Sequence, residues 1–146
     1  MVDAPEADLS PQEADLSPSE AWDLLSADPA AALVDVRTRA EWSYVGVPDL
    51  SPLGRSAVLV EWVLYPDGEP NVAFMDELSA AGLAAGAPLI FICRSGVRSK
   101  AAAAQAARAG YAKVYNVVEG FEGSLDAEQH RGSAGWKAAG LPWRQS

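Results

Sequence analysis

Cys93 is the chain's one cysteine, and it opens the run Cys93-Arg94-Ser95-Gly96-Val97-Arg98-Ser99. A thiol attacks as its thiolate, so a reactive cysteine needs neighbours that favour negative charge on sulfur. Arg94 and Arg98 bring guanidinium groups suited to forked contacts with oxyanions. Gly96 lets the backbone turn several N–H groups toward one point. A lone cysteine after a buried strand is commonly an inert core residue, but a glycine and two arginines within the next five positions are not what packing alone requires. The chemistry that suits this pattern is nucleophilic attack by sulfur, with the same amides then able to hold a persulfide.

The flanking elements would place this run where ligands bind. Pro88-Leu89-Ile90-Phe91-Ile92 is a continuous apolar stretch of the kind found in strands covered on both faces, and it delivers Cys93 at its end. An alanine-rich helix is expected from Lys100 to Ala109, stopped by Gly110, with a further strand over Lys113–Val118. Strand, helix and strand make a parallel crossover unit, and ligands of such sheets bind beyond the carboxyl ends of the strands. A helix N-terminus there adds unpaired N–H groups and the positive end of its dipole.

Upstream, Ser17-Pro18-Ser19-Glu20 combines an N-cap, a proline at the first helical position and a capping-box glutamate, predicting a helix to about Ser26. Ala32–Val36 reads as a buried strand, and Thr38-Arg39-Ala40-Glu41 repeats the capping pattern. Asp35 then sits at a strand end, where a carboxylate can act in catalysis but more often ties loops together. It is expected to brace the Cys93 loop, with Arg37 pairing to Glu41 four residues on. Pro48, Pro52, Gly54, Pro66 and Gly68 punctuate the next stretch, leaving room for one strand over Ala57–Val60. Asn71 can cap a helix through about Leu83, with Phe74, Leu78 and Met75 on its buried face. Trp62 and Tyr65 are read as packing residues.

Composition bounds the rest. A chain of 146 residues, 49% hydrophobic and 21% charged, suits one self-supporting domain. A net charge of −9 argues against nucleic acid or anionic lipid as a partner. One cysteine forbids an intramolecular disulfide, and together with one histidine it is too small a supply for the usual structural zinc site. His130 stands in the polar stretch Glu128–Gly132 and is read as solvated. Residues 1–16 carry acids, prolines and no base, and are expected to be a disordered tail ahead of a single domain over 17–146. The repeated ADLSP in that tail does not continue and is given no weight. No basic leader or long apolar span is seen, so a cytoplasmic protein off the membrane is expected.

Taken together, four spaced segments resemble the rhodanese-like sulfurtransferases: Cys93–Ser99; Leu33-Val34-Asp35-Val36-Arg37 with Glu41-Trp42; Val118-Glu119-Gly120-Phe121 with Gly123; and Gly135–Pro142. The resemblance runs from about Ser17 to Trp143. It implies an α/β fold with an open, mainly parallel sheet of about five strands and helices on both faces. It implies a cysteine that cycles through a persulfide, an anion-binding loop of Arg94, Ser95, Gly96, Val97, Arg98 and Ser99, support from Asp35 and Arg37, and no metal or organic cofactor. Cys93 would take the outer sulfur of thiosulfate, releasing sulfite, or take sulfur from a protein persulfide, and then pass it to cyanide or a thiol. Two features differ from many relatives. Val45-Gly46-Val47-Pro48-Asp49-Leu50 replaces a histidine-and-glycine stretch, and Ser51–Asn71 looks like an insertion.

Two other readings use the same residues. Cysteine-dependent phosphatases and arsenate reductases also hold a thiolate in a strand-loop-helix cradle. Their arginine follows the cysteine by six positions, where this chain has Ser99, and Arg98 follows by five. The other reading is a persulfide relay or docking module, to which some of the five tryptophans could lend a partner surface.

Overall fold

The computed structural model describes residues 12–145. Its elements are β1 (Gln12–Leu16), α1 (Pro18–Ala27), β2 (Ala32–Asp35), α2 (Arg39–Tyr44), β3 (Val47–Pro48), a 3-10 turn (Ser51–Leu53), β4 (Val58–Leu59), α3 (Phe74–Ala80), β5 (Pro88–Ile92), α4 (Val97–Arg108), β6 (Lys113–Val117) and β7 (Trp143–Arg144). Five strands form one sheet in the order β1-β6-β5-β2-β4, and each pairing within it is parallel. The expected open parallel α/β sheet is therefore what the chain forms. β3 and β7 make a small antiparallel ribbon outside it.

Period-2 alternation along the central strands sorts the core into two layers. Val34, Leu89, Phe91, Cys93 and Val114 pack with Phe74 and Leu78 of α3 and Ala102, Ala103 and Ala106 of α4. Leu33, Ile90, Ile92 and Val117 pack the other way, against Ala21 and Leu25 of α1 and against Phe121 and Trp136. Burying both faces is what gives β5 its unbroken apolar sequence, each residue of which is buried. The alanines of α4 let that helix lie close to the sheet.

Both predicted capping boxes are present. Ser17 Oγ accepts from Glu20 N while Glu20 answers to Ser17 N, and Thr38 and Glu41 do the same for α2. Trp62 packs edge-on against Phe74 as a core-rim residue, with ring centroids 4.9 Å apart.

Three expectations about elements are corrected. Residues 12–16, assigned to a disordered tail, form β1 in parallel register with Lys113–Val117. An edge strand satisfies its backbone on one side and leaves Glu13 and Asp15 near water, so acidic residues are tolerated there and the apolar signal is faint. Residues 1–11 of that assignment lie outside the described residues. α4 starts at Val97, not Lys100, with Gly96 as its N-cap, so Val97, Arg98 and Ser99 are first-turn residues. α3 is shorter than expected: Asn71 accepts from Ala73 N, but the N-cap is Ala73 and the helix ends at Ala80. Asn71 instead ties the preceding loop down by donating to Glu61 O and Glu77 Oε1.

Candidate active site

β5 ends at Ile92, and the backbone then turns so that Cys93 Sγ faces the start of α4. The sulfur accepts hydrogen bonds from Gly96 N at 3.2 Å and Ser99 N at 3.3 Å, and Ser99 Oγ lies within hydrogen-bond reach at 3.2 Å. The carbonyls of the loop point the opposite way. Cys93 O accepts from Phe121 N at 2.8 Å, and Arg94 O accepts from Glu122 N and Gly123 N. This division leaves amide hydrogens on the sulfur side and favours negative charge there. Cys93 is 1% exposed, while Arg94 and Val97 stand out toward solvent above it and Ser95 is half-buried.

The loop is clamped against the turn after β6, and two glycines make the clamp possible. Gly96 has φ +102°, and a Cβ there would come within 2.2 Å of Val118 O. Gly120 has φ +69°, and a Cβ there would meet Arg94 O at 2.4 Å. Neither backbone could move away without losing the cradle, so both positions exclude any side chain.

Arg98 does not point an unpaired charge into the cradle. Its two terminal nitrogens grip Glu41 at 2.8 and 3.0 Å, joining α4 to α2. Burial works against the Glu41 charge, but the hydrogen bonds from Arg98 and from the Thr38 backbone outweigh it and hold the carboxyl down at about 2. Arg98 is correspondingly held above its ordinary value, first by that hydrogen bond against the pull of burial, then by the charges of Glu41, Cys93 and Asp35.

The expected Arg37–Glu41 pair is not formed. Arg37 folds back on Asp35, with Nη2 2.6 Å from Oδ2 and Nε bonded to both oxygens, and it also donates to Gly46 O. A fork two residues from a carboxylate at a strand end meets it before α2 begins, which leaves Glu41 for Arg98. Asp35 shares its sheet face with Leu33, opposite Cys93, so it makes no direct contact with the sulfur cradle. Arg37, held by Asp35, lies with its guanidinium 4.2 Å over the Phe121 ring, and Phe121 N donates to Cys93 O. Arg37 Nη1 is buried without a hydrogen-bond partner among the described residues, and the electron-rich face of Phe121 partly compensates it.

Sequence reasoning missed Asn116 altogether. It is on β6, facing the same way as Val114 and Cys93. It accepts from Ser99 Oγ, and it donates to Gly96 O and Asp15 Oδ1. A polar residue at an inward position of a buried strand was the available signal. His130 is exposed in its polar loop, as expected. Trp136 is buried, donates to Pro142 O and meets Trp22 edge-on, while Trp143 is partly exposed beneath Lys137. Among the described residues, no helix is long and apolar enough to cross a membrane.

Comparison with known proteins bears on both fold and family. An uncharacterized protein of Rickettsia conorii is 38% identical over 125 residues, spanning 86% of this chain and 92% of its own. The crystal structure of Rv0390 from M. tuberculosis is similar with a TM-score of 0.84 and 55% identity, covering 91% of this chain and 98% of that one. The polysulfide-sulfur transferase homodimer of Wolinella succinogenes is similar with a TM-score of 0.60 and 22% identity, covering 92% and 80%. A Rhodopseudomonas palustris protein described as a possible tyrosine phosphatase reaches a TM-score of 0.50 at 18% identity, covering 95% and 87%. The last two are likenesses of fold alone, and they agree with an open parallel α/β sheet. Residues 15–146 match the profile described as the STR4 middle domain, and the chain belongs to that family.

Proposed function

We propose that this protein is a sulfurtransferase that carries sulfane sulfur on Cys93. The observation that supports this reading best is that two amides, Gly96 N and Ser99 N, and the Ser99 hydroxyl all lie within hydrogen-bond reach of the one sulfur atom. In the first step the Cys93 thiolate attacks the outer sulfur of a donor, the S–S bond of thiosulfate breaks, and sulfite leaves with the electron pair. In the second, a thiol or cyanide attacks the terminal sulfur of the persulfide and Cys93 departs as thiolate. Neither step needs a strong general base, consistent with a sulfur whose hydrogen-bond neighbours are Gly96 and Ser99. Arg94, exposed beside the loop, would draw in an anionic donor. Arg98, committed to Glu41, would hold the helix start in place. A protein-borne persulfide fits the same chemistry as a donor.

The Arg98–Glu41 pair also weighs against phosphate-ester chemistry. A tetrahedral phosphate needs an uncommitted guanidinium over the cradle, and here both terminal nitrogens of Arg98 are taken by one carboxylate.

Intact-protein mass after incubation with thiosulfate and removal of small molecules tests the reading. A gain of one sulfur atom is expected in wild type, reversed by cyanide and missing in Cys93→Ser. Turnover of a phosphatase substrate with no sulfur adduct would sink the proposal.

A further inference from the structure

The carboxamide of Asn116 is engaged at both ends. Nδ2 donates to Gly96 O at 3.2 Å and to Asp15 Oδ1 at 3.3 Å, while Oδ1 accepts from Ser99 Oγ. Both neighbours of Nδ2 are pure acceptors, so the amide cannot turn over without setting oxygen against oxygen. Oδ1 therefore stays aimed at Ser99. Ser99 Oγ carries one proton and lies within reach of two acceptors, this oxygen and Cys93 Sγ. With a neutral thiol, S–H donates to Oγ and the hydroxyl donates to Asn116. When the thiol proton leaves to solvent, sulfur becomes a charged acceptor, and such hydrogen bonds are roughly twice as strong as neutral ones. The hydroxyl then turns to sulfur.

We infer that Asn116 is a positioning residue of the sulfur centre: by competing for the single Ser99 proton it sets how readily Cys93 gives up its own. It recovers that proton's hydrogen bond once charge has moved to the outer atom of a persulfide. Only this last step rests on the sulfur-transfer reading. No covalent bond changes in the exchange, which is a rotation about the Ser99 Cβ–Oγ bond. Asp15 makes β1 the outer brace, since its carboxylate holds Asn116 Nδ2 and lies 3.8 Å from Lys100 Nζ. Charged groups face the network from β1 (Glu13, Asp15) and from α4 (Lys100, and Arg98 with its α2 partner Glu41). Glu13, Asp15, Lys100 and Asn116 line a cleft of about 160 Å³.

The rate of Cys93 alkylation by iodoacetamide, followed by mass across a pH series, reads the thiolate directly, because no other cysteine is present. Asn116→Ala removes the competing acceptor. It is expected to move the profile to lower pH and to raise the rate near neutrality about threefold, the scale of one hydrogen bond. In a Ser99→Ala background the same substitution should change nothing. Asn116→Leu, close in size but with no acceptor, should give the same gain as Asn116→Ala. A purely structural asparagine would instead loosen the cradle, slow alkylation in Asn116→Ala and act alike in both backgrounds; that pattern overturns the inference. Should Asn116→Ala fail to fold, Asn116→Leu carries the test, and an unchanged or slower rate overturns the inference. Failure of the two proposals can be told apart. Normal sulfur uptake with alkylation profiles insensitive to Asn116 removes this role, while the expected profiles without any sulfur uptake remove the sulfur-transfer reading alone.

Discussion

Two arginine–carboxylate pairs flank the carboxyl edge of the sheet, and they differ in almost every respect except chemistry. Arg37 and Asp35 are two residues apart, have no exposed side-chain surface and lie on the sheet face opposite the sulfur. Arg98 and Glu41 are 57 residues apart, keep 24% and 18% of their side-chain surface exposed, and join the helix that starts at the cradle to the helix after β2. Taking two charges fully out of water is costly, so removal of one partner from the buried pair leaves an uncompensated charge. The partly exposed pair carries a smaller penalty, and its value lies in where it holds α4. The lesson is that a single ion pair can be part of the core or part of the site, and burial decides which.

That contrast can be broken in several ways. The largest effect on activity is expected from Cys93→Ser, which should abolish sulfur uptake while circular dichroism and the melting temperature stay close to wild type. Sulfur uptake by the serine variant would remove the cysteine from the mechanism. Next, Arg37→Ala should cost about 3–5 kcal/mol of stability in denaturant titration, because Asp35 is left buried and unpaired. A loss under about 1 kcal/mol would show that the pair is not part of the core. Arg98→Ala should cost far less, about 1 kcal/mol, yet reduce the rate of thiosulfate-driven sulfur uptake by roughly tenfold as the start of α4 loosens. Equal losses of stability and activity in the two arginine variants would erase the distinction.

The smallest expected effect is a dependence on acid. Glu41 is held at about 2 against an ordinary value of 4.5, so its folded form is the more acidic one. Its contribution to stability is therefore complete above about pH 4.5 and fades as pH falls toward 2. Glu41→Gln should flatten that part of the acid denaturation curve. A curve in Glu41→Gln that follows wild type over this window would mean that the pair contributes little.

Local signals proved sufficient for much of the fold. The unbroken apolar run Pro88–Ile92 and the capping boxes at Ser17 and Thr38 appear in the structure because each depends on a few neighbouring residues and on the period of one element. The resemblance carried by four segments led to the parallel sheet. β1 escaped notice because an edge strand can be acidic, and its pairing with β6 joins residues about a hundred positions apart. Helix α4 was entered three residues late because Arg98 and Ser99 look like loop chemistry, although both lie in its first turn.

What the sequence determined by itself was the cysteine and its setting: one cysteine, after a buried strand and ahead of a helix, with a glycine and two arginines close by. Tertiary structure decided the partners. Asp35 had to choose between loop and arginine, Glu41 between Arg37 and Arg98, and Ser99 between sulfur and Asn116. Such choices depend on which element ends a parallel sheet brings within hydrogen-bond reach. Strand period and capping chemistry set the direction of each side chain, but the register between strands sets what it meets.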